Sequence, residues 1–147
     1  MDGKGLTLVE MAISLAITAV LAAIVLVSFN WVDNRKLDTQ ARNLVSDLIW
    51  GRELAASRHH NYIVDFDIAN ETYSFYNGSK SAANLVRKQK LSVNLVNVTK
   101  WDHSVIKNFT FSAPNGNTNS SVLITLNQTG RSRIINVSDE TGFLRME

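Results

Sequence analysis

The sequence predicts an α+β fold in which one long N-terminal helix packs on an antiparallel β-sheet or a small β-sandwich. Three features of its 147 residues support this prediction. Residues 11–32 form an uncharged and mostly apolar run, the next stretch carries apolar residues at helical spacing, and several short segments beyond residue 61 alternate apolar and polar residues. The length suits one globular unit with its own core.

The apolar run is predicted to form a hydrophobic transmembrane helix over residues 6–32. A secretory signal peptide has a basic start and an apolar core of about 7–15 residues. Here the run is longer, and Lys4 is the only basic side chain before it. A spanning helix needs about 20 apolar residues, and Lys4 favours a cytoplasmic N-terminus.

Glu10 is the only charged residue between Lys4 and Asp33. An ionised carboxylate in an apolar environment is costly unless a partner of opposite charge satisfies it. We therefore expect Glu10 to be unsatisfied in the lone subunit and to gain its partner elsewhere.

Lys4 and Gly5, followed by Leu-Thr-Leu-Val-Glu at 6–10 and an apolar helix, resemble the N-terminal signal of type IV pilins and type II secretion pseudopilins. The resemblance implies that residues 1–5 are a leader, that prepilin peptidase cleaves between Gly5 and Leu6, and that Leu6 becomes N-methylated. It also implies an assembly role for Glu10, which would neutralise the N-terminal ammonium of a neighbouring subunit. Leu6 departs from the phenylalanine commonest at this position.

Residues 33–60 are predicted to continue the helix to about Arg58 with one buried face. Gly51 weakens a helix by about 1 kcal/mol, but it would let a strand approach closely. The apolar residues recur every three or four positions and are Leu37, Ala41, Leu44, Val45, Leu48, Ile49 and Ala55.

Residues 61–147 are predicted to form a β-rich head. Asn-Gly pairs at 77–78 and 115–116 are turn signals. A change of phase after Leu95 indicates a bulge. The predicted strands read YIVDFD, TYSFY, LSVNLVNV, FTFS, VLITL, RIINVS and FLRM.

A helix that leads through AASR and NYIVDFD into a cysteine-free, sheet-rich head is most similar to the GspH/FimT type of minor pilin or pseudopilin. This resemblance implies a subunit of a type IV pilus or a type II secretion filament. Its partners would be other pilin or pseudopilin subunits, prepilin peptidase and the inner membrane. The chain would cross the bacterial inner membrane once before assembly and then join a periplasmic or cell-surface filament.

Basic residues support an alternative, a DNA-binding minor pilin that acts in DNA uptake during natural transformation. DNA-binding members have a G-R-x-R motif near the C-terminus, and this chain reads Gly-Arg-Ser-Arg at 130–133. The better counterpart by distance from the end, 141–145, has Phe143 where the first arginine is expected. Such charges could equally be a solvated strand edge. The candidate phosphate-binding residues are Arg131, Arg133, Arg87, Lys88, Lys90 and Arg145.

Other classes of site have little support. The chain has no cysteine and a net charge of +2, which excludes disulfides and thiolate chemistry and implies no nucleic acid by itself. Adjacent His59 and His60 cannot easily share a metal ion, and no nucleophile or phosphate-loop motif occurs. We therefore expect no enzyme activity, cofactor or metal site. A plain membrane-anchored binding protein with an uncleaved N-terminus remains a second alternative.

Overall fold

A computed structural model of the protein describes residues 7–147, except for the side chains of residues 25–34. The chain divides into two compact units, residues 1–33 and 34–147. The predicted leader, with Gly5 and Leu6 at its cleavage point, lies outside the described residues.

The helix, α1, spans Leu8–Arg58, so the predicted end is confirmed. In the second unit, its face that packs on the core includes Leu37, Ala41, Leu44, Leu48 and Ala55, all almost fully buried. Two residues predicted to lie on this face are less buried than expected. Val45 is only partly buried, and Ile49 is 39% exposed because it lies at the margin of the packed face.

The predicted transmembrane helix at residues 6–32 is described only in part. Every described residue from 7 to 24 is exposed, and most of them are apolar. Among the residues that the structure describes, no helical segment has the length and hydropathy needed to cross a membrane.

The described residues of the second unit form two antiparallel sheets, which agrees with the predicted α+β class. One sheet has the order β3-β2-β1-β5-β6 and the other β4-β7-β8-β9. The strands are β1 Tyr62–Asp67, β2 Thr72–Asn77, β3 Leu85–Lys90, β4 Asn94–Lys100, β5 Asn108–Ser112, β6 Asn117–Thr118, β7 Val122–Gln128, β8 Arg131–Val137 and β9 Leu144–Met146.

A single hydrophobic core joins α1 to both sheets. Tyr62, Val64 and Phe66 of β1 are buried on one face, as their alternation predicts. A Cβ added to Gly51 would lie 2.5 Å from Cε1 of Phe75 in β2, so this glycine does permit the close approach expected of it. The missing side chain at Gly51 therefore brings the first sheet close to the helix.

Two strands were not predicted, and the predicted bounds of a third, β4, lie too early in the chain. β3 reads LVRKQK and lacks clean alternation because it is an edge strand with largely exposed residues. β6 is only two residues long. β4 begins at Asn94 rather than Leu91, although the predicted bulge is confirmed by a register shift between Leu95 and Asn97.

Two glycine turns close around the side chain of Arg52. Gly116 and Gly142 have φ values of 69° and 61°. A Cβ on Gly116 would lie 2.7 Å from Cγ of Arg52, and one on Gly142 would overlap the carbonyl oxygen of Gly116 and lie 3.1 Å from Cδ of Arg52. The two turns therefore fit against the helix and against each other only because neither has a side chain.

We predict that Gly142→Ala destabilises the fold more than Gly130→Ala. Gly130 has a φ of 80°, but a Cβ there would meet nothing within 4 Å. Both alanines suffer the backbone strain of positive φ, whereas only the one at 142 is overpacked, which adds about 1–3 kcal/mol. Urea unfolding of the detergent-solubilised chain, followed by circular dichroism, measures the difference. Equal losses of unfolding free energy would contradict the packing account.

Candidate functional site

The helix N-terminus is closed by reciprocal hydrogen bonds between Thr7 and Glu10. The Thr7 backbone N–H and hydroxyl both donate to Glu10 Oε2, each at 2.9 Å. The Glu10 N–H is 3.2 Å from Thr7 Oγ1, and the Met11 N–H donates to the Thr7 carbonyl at 3.1 Å. This is a capping box, in which a Thr and a Glu three residues later satisfy each other's backbone donors.

The capping box refines one expectation about Glu10. The carboxylate already accepts two hydrogen bonds from Thr7 within its own chain, but these neutral donors leave its charge without a cation, so the expected charge partner stays a prediction. The T-x-x-E spacing at positions 7–10 could have revealed these hydrogen bonds from sequence. The hydrogen bonds from Thr7 go to Oε2, and neither of them uses Oε1.

Around Glu10, the helix presents an apolar surface. The side chains of Leu8, Val9 and Leu15 are 86%, 64% and 68% exposed. The Thr18 hydroxyl donates to the Ser14 carbonyl at 2.8 Å, so this polar group bonds within the helix. An exposed apolar surface of this extent marks a membrane or protein interaction site.

The candidate DNA-binding residues near the C-terminus differ in how far their charges are already paired. In β8, Arg133 Nε donates to Asp38 Oδ1 of α1 at 2.7 Å. In β9, Arg145 Nε lies 3.7 Å from Glu147 Oε1. Arg131 begins β8 beside the Gly130 turn and is exposed. Of the two arginines in the G-R-x-R motif, Arg133 is therefore held by a carboxylate, while Arg131 extends into solvent.

The basic residues of β3 border a polar network on the helix. Asp47 Oδ1 lies 3.0 Å from Arg87 Nη1, and Asp47 Oδ2 accepts a 2.6 Å hydrogen bond from the Tyr73 hydroxyl. The Arg87 guanidinium lies 5.3 Å from the centroid of the Trp50 ring, a cation–π distance. Burial, together with the bond to Asp47, raises the pKa of Tyr73 above its ordinary value.

The structure does not bring the two basic clusters together. Arg133 contacts α1 at Asp38, and Arg87 contacts it at Asp47. These aspartates are nine residues apart, which is about two and a half turns at 3.6 residues per turn, so they lie on opposite sides of the helix. A ligand that touched both clusters would have to pass around the head.

The described residues contain no group of three or more His, Asp or Glu side chains placed to hold a metal ion.

Comparisons with known proteins support the resemblance of the N-terminal residues to the type IV pilin signal. Residues 2–26 match the family model of the prokaryotic N-terminal methylation motif. No curated protein sequence matches the chain significantly.

Solved structures share the fold of the chain. The type IV minor pilin FimU of Pseudomonas aeruginosa has a TM-score of 0.62 at 17% identity, over 80% of this chain and 92% of FimU. The minor pseudopilin EpsH of the Vibrio cholerae type II secretion system has a TM-score of 0.63 at 11% identity, over 79% of this chain and 97% of EpsH.

The chain thus combines the N-terminal methylation motif at residues 2–26 with a fold similar to that of a type IV minor pilin. The described part of the chain has the fold of a minor pilin and of a minor pseudopilin.

Proposed function

We propose that this chain is a minor pilin or pseudopilin that is processed by prepilin peptidase and assembled through its N-terminal helix into a type IV pilus or type II secretion filament. The observation that carries the proposal is the methylation motif at residues 2–26, which leads into an exposed apolar helix. The structural neighbours are named as a type IV minor pilin and a minor pseudopilin, and neither name denotes an enzyme.

Processing follows from the same motif. The peptidase would cleave between Gly5 and Leu6 and methylate Leu6. Before assembly the chain would cross the bacterial inner membrane once. Its N-terminus would stay in the cytoplasm, because the positive charge of Lys4 favours that side. The filament would then hold the subunit in the periplasm or at the cell surface.

Glu10 would serve two partners in the filament. Its Oε2 accepts the local hydrogen bonds from Thr7, and Oε1 would accept a hydrogen bond from the N-terminal ammonium of a neighbouring subunit. Two opposite charges among apolar helices are tolerated when they are paired and hydrogen-bonded, while removal of one partner is strongly destabilising. The capping box also orients the carboxylate before the neighbour arrives.

We predict that Glu10→Gln reduces incorporation into filaments about tenfold or more, since it removes the charge of a buried ion pair. Gln can still close a capping box, so the helix terminus is preserved. Thr7→Val is the matched variant: it costs about 1 kcal/mol of capping energy but keeps the charge, and it should assemble nearly normally. Immunoblots of sheared filaments against total subunit measure incorporation.

The reverse pattern would contradict the pairing of charges. If Glu10→Gln assembles normally and Thr7→Val does not, Glu10 acts only as a helix cap. Both variants should still lose the leader, because a change in processing would itself lower incorporation.

DNA binding is a second candidate function, and the exposed Arg131 favours it. Lys88 and Lys90 of β3 are also exposed, and within the described part of the chain neither they nor Arg131 has an ion pair within 4 Å. Exposed basic side chains of this kind can contact DNA phosphates, which gives affinity for DNA without recognition of its sequence. If DNA binds, the subunit would act in uptake during transformation.

For this candidate we predict that Arg131→Ala weakens duplex DNA binding more than Arg133→Ala. Each neutralised phosphate contributes a slope of about −0.9 in log K against log salt. Loss of Arg131 should reduce the slope by about that amount, whereas Arg133 is already paired with Asp38. Fluorescence anisotropy over a salt series measures both. An absence of binding at low salt would leave the filament role alone.

A further inference from the structure

A hairpin at residues 100–106 exposes the side chain of Trp101 to solvent. The Trp101 side chain is 69% exposed. The turn around it is fixed, because Lys100 N–H donates to the Ser104 carbonyl at 2.9 Å and Asp102 Oδ1 accepts from the Ser104 N–H and hydroxyl at 2.9 and 2.6 Å. The ring is therefore displayed by an ordered turn.

A shallow groove of about 360 Å³ lies beside this ring. The hairpin forms one wall, and the loops at 119–121 and around Asp139 form the others. Hydrogen bonds join these segments: the Trp101 backbone N–H donates to the Ser121 carbonyl at 3.1 Å, and the Ser121 hydroxyl donates to Asp139 Oδ1 at 3.1 Å. The groove is thus built from three mutually braced segments.

The groove combines a flat aromatic face with polar groups of several kinds. Its lining includes the Asn119 amide, the Lys100 ammonium and the Asp139 carboxylate. The Ser120 hydroxyl oxygen is buried and has no hydrogen-bond partner among the described residues. This hydroxyl is not accessible from the groove, so the exposed polar groups of the lining are the ones that a ligand would meet.

The charges of the groove indicate which ligand fits. One cation, Lys100, is outnumbered by the carboxylates of Asp102 and Asp139, so a polyanion such as DNA is disfavoured here. An aromatic face with a polar rim suits a molecule that has an apolar face and polar edges. A pyranose ring is such a molecule, since its C–H bonds form a flat apolar face and its hydroxyls lie at the rim.

We propose that this groove binds a neutral oligosaccharide. Trp101 stacks on the C–H face of one sugar ring, and Asn119 and Asp139 hydrogen-bond to its hydroxyls. The site lies wholly in the second unit and includes none of the residues of the N-terminal motif.

The test uses the full chain in a non-glycosidic detergent, since alkyl glycosides would compete for the groove. Chitotriose, cellotriose and maltotriose are titrated separately and followed by saturation-transfer difference NMR. We expect at least one of them to bind with a Kd of the order of 1 mM or tighter, and Trp101→Ala to weaken it about tenfold.

Val105→Ala is the matched control, because Val105 is also 69% exposed on the same hairpin but does not line the groove. It should leave the affinity unchanged, while Asn119→Ala should lower it severalfold. Circular dichroism checks that each variant keeps its sheets. The proposal is overturned if no trisaccharide binds, or if Trp101→Ala and Val105→Ala have the same effect.

Discussion

The constraint on which this account depends is a carboxylate in apolar surroundings. The helix around Glu10 exposes an apolar surface, and burial of that surface brings the carboxylate with it. Thr7 satisfies Oε2 through two hydrogen bonds, but hydroxyl and amide donors do not neutralise a charge. A cation from another chain would complete the site. The residue that makes the lone helix costly to bury is therefore also the residue that can specify how it is buried.

The head depends on contacts that α1 makes through several of its faces. Its apolar face completes the core, Gly51 admits Phe75, and Arg52 lies between two glycine turns. On its remaining sides, Asp38 and Asp47 each hold an arginine from a different sheet. These partly exposed ion pairs add little to the shared core, but they pair two arginines that would otherwise be free to bind an anion.

Much of the fold could be predicted from the sequence because its signals are local. Helical spacing located the buried face of α1, alternation located β1 and β2, and a change of phase located the bulge after Leu95. Edge strand β3 escaped prediction because neither of its faces is consistently buried. The pairing of Arg133 with Asp38 was also unpredictable, since it joins positions 95 residues apart. The hydrogen bonds between Thr7 and Glu10 differ in kind, since they are local and follow from the T-x-x-E spacing alone.

The intact mass of the subunit purified from cells with active prepilin peptidase tests the central claim most directly. We expect a chain that has lost Met1 through Gly5, begins at Leu6 and carries one added methyl group. Tandem mass spectrometry of the N-terminal peptide would place that methyl group on the Leu6 amine. A chain that still begins at Met1 or Asp2 would contradict the account and would leave a plain membrane-anchored binding protein.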